Sequence, residues 1–243
     1  MTAAFRTFWL PCRGNAAEEY EDAAAAEPGS GRFAVADGAG SSAFPGAWAR
    51  LLVEEFTRGG QGGFEQWAAA LADLPARWEA AIRRQPLPWF AERKLHNGAA
   101  ATFLGVALRA GHWQAIAIGD TCLFHTREGV LLRAVPLERA AQFTDRPHLL
   151  GSRTVVGDLL DPRTCHAEGA FQPRDRLWLA TDALAQWCLA EHAAGGQPWA
   201  QIDERLAAAE GEQWFAPWIE QLRDEGRLQN DDVTLMAITL NQQ

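Results

Sequence analysis

Two hydrophobic patterns divide the chain. Apolar runs of strand length, bounded by glycine, proline or polar residues, predict strands at 5–10, 33–36, 100–108, 113–119, 122–125, 130–132, 177–182 and 233–240. The alanine run at 23–26 is compatible with a helix by propensity. Because Pro28-Gly29 follows it, we favour a strand that pairs with 33–36 as a hairpin.

Helical spacing occurs between these strands. Apolar residues recur at three- and four-residue intervals in 64–84, which predicts an amphipathic helix that Pro75 kinks or divides. An earlier helix is predicted to begin at a cap on Ser41 or Ser42 and to end near Phe56. Three further helices are predicted at 183–192, 199–209 and 213–225.

The order of these elements predicts the fold class. The middle third, 99–133, is predicted to form a meander of antiparallel strands with turns at Gly111 and Gly129. Helices precede and follow it, and the last strand is apolar enough to lie inside a sheet. We therefore predict an α+β fold, a four-layer α-β-β-α sandwich with two central, mostly antiparallel sheets.

Acidic residues recur where the predicted strands begin or end. Asp37 follows an apolar strand and precedes Gly38, where the backbone can approach a bound group closely. Carboxylates gathered in one cleft repel one another unless divalent cations neutralise them, and ligand sets made only of oxygen favour Mg²⁺ or Mn²⁺ over Zn²⁺. A turn or a helix cap would explain Asp37 alone, and a plain hairpin turn would explain Asp120. The acidic positions are Glu21, Asp22, Asp37, Asp120, Asp182 and Asp231, with Asp232 next to the last.

Composition limits the classes of partner. The 243 residues include 22 basic and 31 acidic side chains, a net charge of −9, which argues against nucleic acid and against a membrane as the main partner. No low-complexity linker divides the sequence, so we predict one domain over 1–243. The first residues lack a secretory pattern, and no apolar stretch approaches the ~20 residues of a membrane span. The four scattered cysteines are typical of reduced thiols, and we expect a cytoplasmic protein.

Taken together, the acidic motifs resemble those of the metal-dependent serine/threonine protein phosphatases of the type 2C family, in their bacterial single-domain form. The resemblance runs almost from end to end, and 98–102 matches the small-residue strand that follows the family's first helices. The family's Glu-Asp, Asp-Gly, Gly-Asp-Ser, Ser-Asp-Gly and closing Asp-Asn/Asp-x-Thr are matched in order by Glu21-Asp22, Asp37-Gly38, Gly119-Asp120-Thr121, Thr181-Asp182-Ala183 and Asp231-Asp232-Val233-Thr234. A single two-residue match has no weight, whereas this ordered series is specific.

The resemblance implies a site and a reaction. Two Mn²⁺ or Mg²⁺ ions are expected where the sheets meet, and a water that bridges them would hydrolyse phosphoserine and phosphothreonine in proteins. The substrate would be a phosphoprotein made by a serine/threonine kinase, which implies a signalling hydrolase, and we expect a monomer. The implied catalytic ligands are Asp37, which bridges the ions, Asp182 and Asp231; Gly38 adds its carbonyl oxygen, Glu21 and Asp22 act partly through water, and Asp232 supports Asp231.

Three positions depart from the family pattern. Many members bind the substrate phosphate through an arginine five residues before the aspartate of Glu-Asp; this sequence has Ala17 there, and Arg13 is the nearest basic candidate. Gln186 replaces an aspartate that helps the equivalent of Asp120 to hold a third ion, so we expect that ion to be weak or absent. Ala183 replaces the motif glycine, a mild change if φ is negative there.

Segment 144–153 falls where family members often have a mobile flap, within a polar stretch, 137–156, predicted to be irregular and to lie near the mouth of the cleft. It contains Arg146, His148 and Arg153. These cations would suit a phosphopeptide, but solvation alone explains a polar loop, and we prefer that interpretation. His148 is the candidate proton donor to the leaving serine or threonine oxygen.

Two other functions remain open. A phosphatase-like domain that binds a phosphoprotein or a partner with weak or no turnover is favoured by Ala17 and Gln186, and disfavoured by the intact set of Asp37, Asp182 and Asp231. A hydrolase of small phosphate esters is the other. A manganese-dependent assay that compares phosphopeptide with nucleotide and sugar phosphates separates the three.

Overall fold

The computed structural model describes residues 2–59, 63–84, 92, 94–153, 163–208 and 213–241. Its strands are β1 (Thr2–Leu10), β2 (Ala23–Glu27), β3 (Arg32–Ala36), β4 (Ala100–Ala101), β5 (Phe103–Arg109), β6 (His112–Ile118), β7 (Cys122–Arg127), β8 (Val130–Val135), β9 (Leu150–Gly151), β10 (Cys165–Ala170), β11 (Arg176–Ala180) and β12 (Val233–Asn241). Its helices are α1 (Pro45–Arg58), α2 (Phe64–Ala70), α3 (Leu74–Ile82), α4 (Asp182–Ala193), α5 (Pro198–Ala208) and α6 (Phe215–Asp224).

Two five-stranded antiparallel sheets form the centre of the molecule. The first has the order β1-β12-β11-β7-β8 and the second β10-β6-β5-β3-β2, while β4 and β9 form a separate short ribbon. One core, with Phe33 and Met236, fills the space between the sheets. A second core lies under α1–α3 around Trp48, and a third under α4–α6 around Trp187. The predicted four-layer sandwich is confirmed.

Several local predictions are also confirmed. The alanine run is a strand, and β2 pairs with β3 along its whole length. The last strand lies inside the first sheet, between β1 and β11. The helix predicted at 64–84 is divided into α2, a single 3₁₀ turn at 71–73, and α3, with Pro75 in the first turn of α3, where its missing N–H costs nothing. No helix in the described part of the chain combines the length and apolar character needed to cross a membrane.

The predicted meander is wrong. Strands β6 and β7 are consecutive in sequence, but they lie in different sheets, so the chain crosses the sandwich at Gly119-Asp120-Thr121. Gly119 has φ of 95°, and a Cβ there would lie 2.7 Å from the carbonyl oxygen of His148; only glycine suits that position. Asp120 is therefore not a hairpin-turn residue, and it stands where the two sheets meet.

The predicted cap of α1 is also wrong. The helix begins at Pro45, after Phe44 in a left-handed conformation, and without a side-chain cap. The Ser42 hydroxyl instead accepts a hydrogen bond from the Ala100 N–H at 3.0 Å and lies 3.4 Å from its carbonyl oxygen. Ser42 lies two residues before the position that precedes the helix, and its hydroxyl is bonded to β4 instead of to the first turn of α1.

Candidate metal centre and substrate cavity

A cavity of ≈ 450 Å³ opens where three segments meet: the turn after β3, the residues before β12, and the irregular segment after β8. Five of its lining side chains are acidic, namely Glu21, Asp37, Asp145, Asp231 and Asp232. The cavity therefore has the chemistry expected of a cation site. It also confirms that the described part of 137–156 is mainly irregular and reaches the mouth of the cleft.

The Asp37-Gly38 turn is held by neighbouring backbone. Asp37 accepts the Thr102 N–H on its carbonyl oxygen at 2.8 Å, and its own N–H donates to the Thr102 hydroxyl at 3.3 Å. That hydroxyl also bonds Thr121 at 2.6 Å, which links the turn to the Asp120 crossover. A Cβ on Gly38 would lie 2.6 Å from the Glu21 carbonyl oxygen. Glycine is needed here for close packing.

Asp232 holds two backbone segments in place. Its carboxylate accepts the Cys12 N–H at 2.7 Å and the Glu21 N–H at 2.6 Å, and Asp232 is 7% exposed. Its own N–H donates to an Asp231 carboxylate oxygen at 2.9 Å. Hydrogen bonds to a carboxylate are stronger than neutral ones. Asp232 thus has contacts that suit a supporting residue.

Asp22 lies in a buried hydroxyl network. The Thr234 hydroxyl donates to one carboxylate oxygen at 2.7 Å, and the Tyr20 hydroxyl contacts Thr234 in turn. The other oxygen, Oδ1, is buried and has no hydrogen-bond partner in the segments the structure describes. The motif residue Thr181 accepts the Thr234 N–H at 2.9 Å. A buried carboxylate oxygen without a partner is costly unless a cation or water satisfies it.

Asp120 and Asp182 complete the set of acids that we call the acidic group, which comprises Glu21, Asp22, Asp37, Asp120, Asp182 and Asp231. Asp120 is 5% exposed, and its Oδ1 is a second buried oxygen that lacks a partner among the described residues. Asp182 is the first residue of α4, and its carboxylate accepts the Ala183 N–H at 2.5 Å. Because Ala183 is helical with negative φ, the replacement of the motif glycine needs no strained backbone.

The pKa values show that these acids share one environment. Burial, followed by the charges of Asp22, Asp182, Asp120 and Asp231, raises the pKa of Asp37 well above its ordinary value. Burial and the charges of Asp120 and Asp231 raise the pKa of Asp182 to about 7. Burial, against the opposite effect of a backbone hydrogen bond, raises the pKa of Asp120 to about 6. Mutual repulsion of this kind disappears when a divalent cation joins the group.

The side chains are close enough to interact but are not arranged as a finished ligand shell. Within the described residues, no group of three or more histidine, cysteine or acidic side chains closes on a single point. Asp22, Asp120 and Asp182 are absent from the cavity lining, although Asp22 and Asp120 carry oxygens in need of a partner. Rotation of these side chains would therefore be required to complete a ligand shell.

Arg223 is a supporting residue that the sequence did not single out. Its side chain is 2% exposed, and it donates to the carbonyl oxygens of Asp231 at 2.5 Å and Pro11 at 3.1 Å. Pro11 precedes Cys12, whose N–H binds Asp232, so Arg223 joins the two segments that frame the site. Its position within the helical pattern of α6 gave no indication of this contact.

The predicted substrate residues fall in different places. Arg13 forms ion pairs with Glu220 and Asp224 of α6, with its Nε 2.6 Å from Glu220, and it does not line the cavity; this geometry argues against phosphate binding by Arg13. His148 is half-buried and is also absent from the lining. Arg146, for which we preferred the solvated-loop interpretation, does line the cavity.

Comparisons with known proteins agree with this geometry. A family model described as protein phosphatase 2C matches residues 18–234. The serine/threonine phosphatase PstP/Ppp of Mycobacterium tuberculosis aligns with a TM-score of 0.65 at 17% identity over 100% of both chains. PppA, a regulatory component of the T6SS in Pseudomonas aeruginosa, aligns with a TM-score of 0.60 at 19% identity over 98% of both chains. A PstP catalytic domain in complex with two manganese ions gives 0.62 at 18% identity over 99% of this chain and 100% of that one.

A comparison with curated proteins finds no match. At these identities the solved structures establish the fold, whereas the family model spans most of the sequence and establishes the family. It confirms the predicted resemblance and the predicted enzyme class, a protein phosphatase. The chain belongs to the protein phosphatase 2C family.

Proposed function

We propose that this chain hydrolyses phosphoserine and phosphothreonine in proteins, with two Mn²⁺ or Mg²⁺ ions held by its acidic group. The observation that carries the proposal is the gathering of carboxylates from distant segments in and beside one cavity, with raised pKa values for Asp37, Asp120 and Asp182. Without a cation this group is destabilising, because its members repel one another in a buried place. A PstP structure of the same fold contains two manganese ions, which supports the choice of metal.

The residues present fit such ions. All the side-chain donors are carboxylate oxygens, as Mg²⁺ and Mn²⁺ prefer, and two of them are buried without partners. Asp37, Asp182 and Asp231 would bind the ions directly with the Gly38 carbonyl oxygen, and Glu21, Asp22 and Asp120 would complete the coordination, Glu21 and Asp22 partly through water. When bound, the ions supply the positive charge that neutralises a phosphoryl group and activates water toward phosphorus.

The rest of the site fixes these donors in place. Thr102 holds the Asp37 turn, Asp232 holds the Glu21 backbone, and Arg223 holds the Asp231 carbonyl oxygen. These contacts are made to backbone atoms, so the backbone that carries the donors is set before any ion binds and only the side chains would have to rotate. Preorganisation of this kind lowers the cost of reaching the reactive geometry.

A metal-dependent assay tests the proposal. Turnover of p-nitrophenyl phosphate and of a phosphothreonine peptide is expected with Mn²⁺ and is expected to vanish with a chelator. Asp37→Asn should remove turnover in both assays, whereas the matched variant Asp73→Asn, at an exposed position outside the cavity lining, should retain it. Absence of metal-dependent turnover in the unmodified chain would refute the proposal.

A second candidate is a domain that binds phosphoprotein with weak or no turnover. It is favoured by Ala17 and Gln186 and by the ion pairs that hold Arg13 away from the cavity. Phosphopeptide binding without metal-dependent turnover would select it. Turnover of nucleotide or sugar phosphates in preference to phosphopeptide would instead indicate a hydrolase of small esters.

A further inference from the structure

The cavity has an unbalanced charge that a phosphate ester must overcome. Five acidic side chains line it, and among the described residues the only basic side chain in the lining is Arg146. A phosphoryl group carries negative charge, and two ions would be shared between it and the carboxylates. A cation that belongs to the protein and faces the cavity would offset the acidic lining and attract the anionic substrate.

The Arg146 guanidinium is available for such a ligand. It is exposed, and it makes no hydrogen bond or ion pair with any residue that the structure describes. The backbone N–H of Arg146 bonds the Thr144 hydroxyl at 3.4 Å, and Pro147 follows with a fixed φ. The backbone at Arg146 is thus restrained, while its guanidinium has no partner among the described residues.

The segment that carries Arg146 is joined to the metal site. Leu150 pairs with Ala101 in the β4–β9 ribbon, and Ala101 bridges to Gly38. The His148 carbonyl oxygen packs against Gly119, next to Asp120. Both contacts place the segment against the residues that frame the acidic group, so the backbone that carries Arg146 has a fixed place beside the site.

Two arginines near the site already have partners, and the nearby lysine does not line the cavity. Arg13 is paired with two carboxylates of α6, and the buried Arg223 binds backbone carbonyl oxygens. Lys94, the one lysine of the sequence, is exposed and lowers the pKa of Glu21 against the larger effects of burial and acidic neighbours, but it is not in the lining. Lys94 is the competing candidate.

We infer that Arg146 binds the phosphoryl group of the substrate, as the protein's own phosphate-binding cation. This inference rests on the proposed function and assigns to Arg146 a part in the affinity of the protein for its phosphorylated substrate. The planar guanidinium offers two parallel N–H groups to two phosphoryl oxygens, which an ammonium cannot do. Arg146 is expected to act on binding and to leave the ions untouched.

The test compares Arg146→Ala and Arg146→Lys with Arg139→Ala and Lys94→Ala. Arg139 lies on the same stretch, is exposed and is absent from the lining. Its replacement by alanine changes the net charge by the same amount as Arg146→Ala but leaves the cavity lining unchanged. Three constants are measured in Mg²⁺ buffer: KM and kcat for a phosphothreonine peptide, and Kd for inorganic phosphate by calorimetry. Mg²⁺ affinity is measured as well, because a structural defect would alter it.

We expect Arg146→Ala to raise KM and phosphate Kd by about tenfold, the effect of one charge-assisted contact, with Mg²⁺ affinity unchanged. For Arg146→Lys, KM and the phosphate Kd should fall between those of the unmodified chain and those of Arg146→Ala. For Arg139→Ala, both values should match those of the unmodified chain. The inference would be overturned if KM and the phosphate Kd were the same in Arg146→Ala and Arg139→Ala, or if Lys94→Ala and not Arg146→Ala weakened phosphate binding. Arg146-dependent phosphate binding without turnover would support it while refuting catalysis, and absence of both turnover and phosphate binding would refute both.

Discussion

Asp120 provides a direct test of the acidic group in the absence of metal. It lies at the crossover between the two sheets, is 5% exposed, and has a carboxylate oxygen that lacks a partner in the described residues. Burial raises its pKa from 3.8 to about 6. Asp120→Asn keeps the shape of the side chain and removes its charge, so the variant isolates the cost of burying that charge.

The magnitude follows from the pKa. A rise from 3.8 to about 6, at about 1.4 kcal/mol for each pH unit, corresponds to about 3 kcal/mol. The folded chain holds the Asp120 proton more tightly than the unfolded chain, so this contribution to stability is fully present below pH 3.8 and is lost as pH rises through about 6. In chelator, Asp120→Asn should therefore be about 3 kcal/mol more stable than the unmodified chain at pH 8 and nearly equal to it near pH 4.

Urea denaturation with chelator at pH 4 and pH 8, followed by tryptophan fluorescence, measures the difference. Asp73→Asn, at an exposed position, is the matched control and should change the free energy of unfolding little at either pH. Addition of Mn²⁺ at pH 8 should stabilise the unmodified chain and reduce the advantage of the variant, because the ion neutralises the carboxylate. A variant that gains nothing at pH 8, or gains equally at both pH values, would refute the reasoning.

Two further predictions concern groups outside the ligand set. Arg223→Met should lower the free energy of unfolding by about 2–3 kcal/mol and weaken Mn²⁺ binding about tenfold, since it removes the contact with the Asp231 carbonyl oxygen; reduced stability with unchanged Mn²⁺ affinity in a metal titration would contradict a positioning role. The second prediction concerns Asp175. Burial raises the pKa of its carboxyl group, but hydrogen bonds from Arg127, a backbone N–H and His125 outweigh that effect and lower the pKa to about 2. Asp175→Asn should therefore cost about 2 kcal/mol near pH 7, an amount that shrinks as pH falls from 4 to 2; a loss that is independent of pH in thermal or urea unfolding would contradict this.

Much of the fold was predictable because the information is local. Strand β3 is an uninterrupted apolar run, and the alanines of β2 precede a proline-glycine turn, so their hairpin follows from adjacent residues. The crossing at Gly119 was not predictable in the same way. A three-residue link can close a hairpin or carry the chain to a second sheet, and the choice depends on contacts such as that between Gly119 and His148, which are distant in sequence.

In the candidate site, the acidic residues were predictable from the sequence and the roles of the basic residues were not. The acids were predictable because strand ends and neighbouring glycines mark them in the sequence. The three arginines around the site have the same charge, and only their partners decide what each can do: Arg13 meets two carboxylates more than 200 residues away in sequence, Arg223 meets backbone carbonyl oxygens, and Arg146 faces the cavity. A guanidinium whose donors are already satisfied has little affinity left for phosphate. Arg13, the arginine nearest in sequence to the expected position, is therefore a poor candidate, and Arg146, whose loop position is also explained by solvation, is a better one.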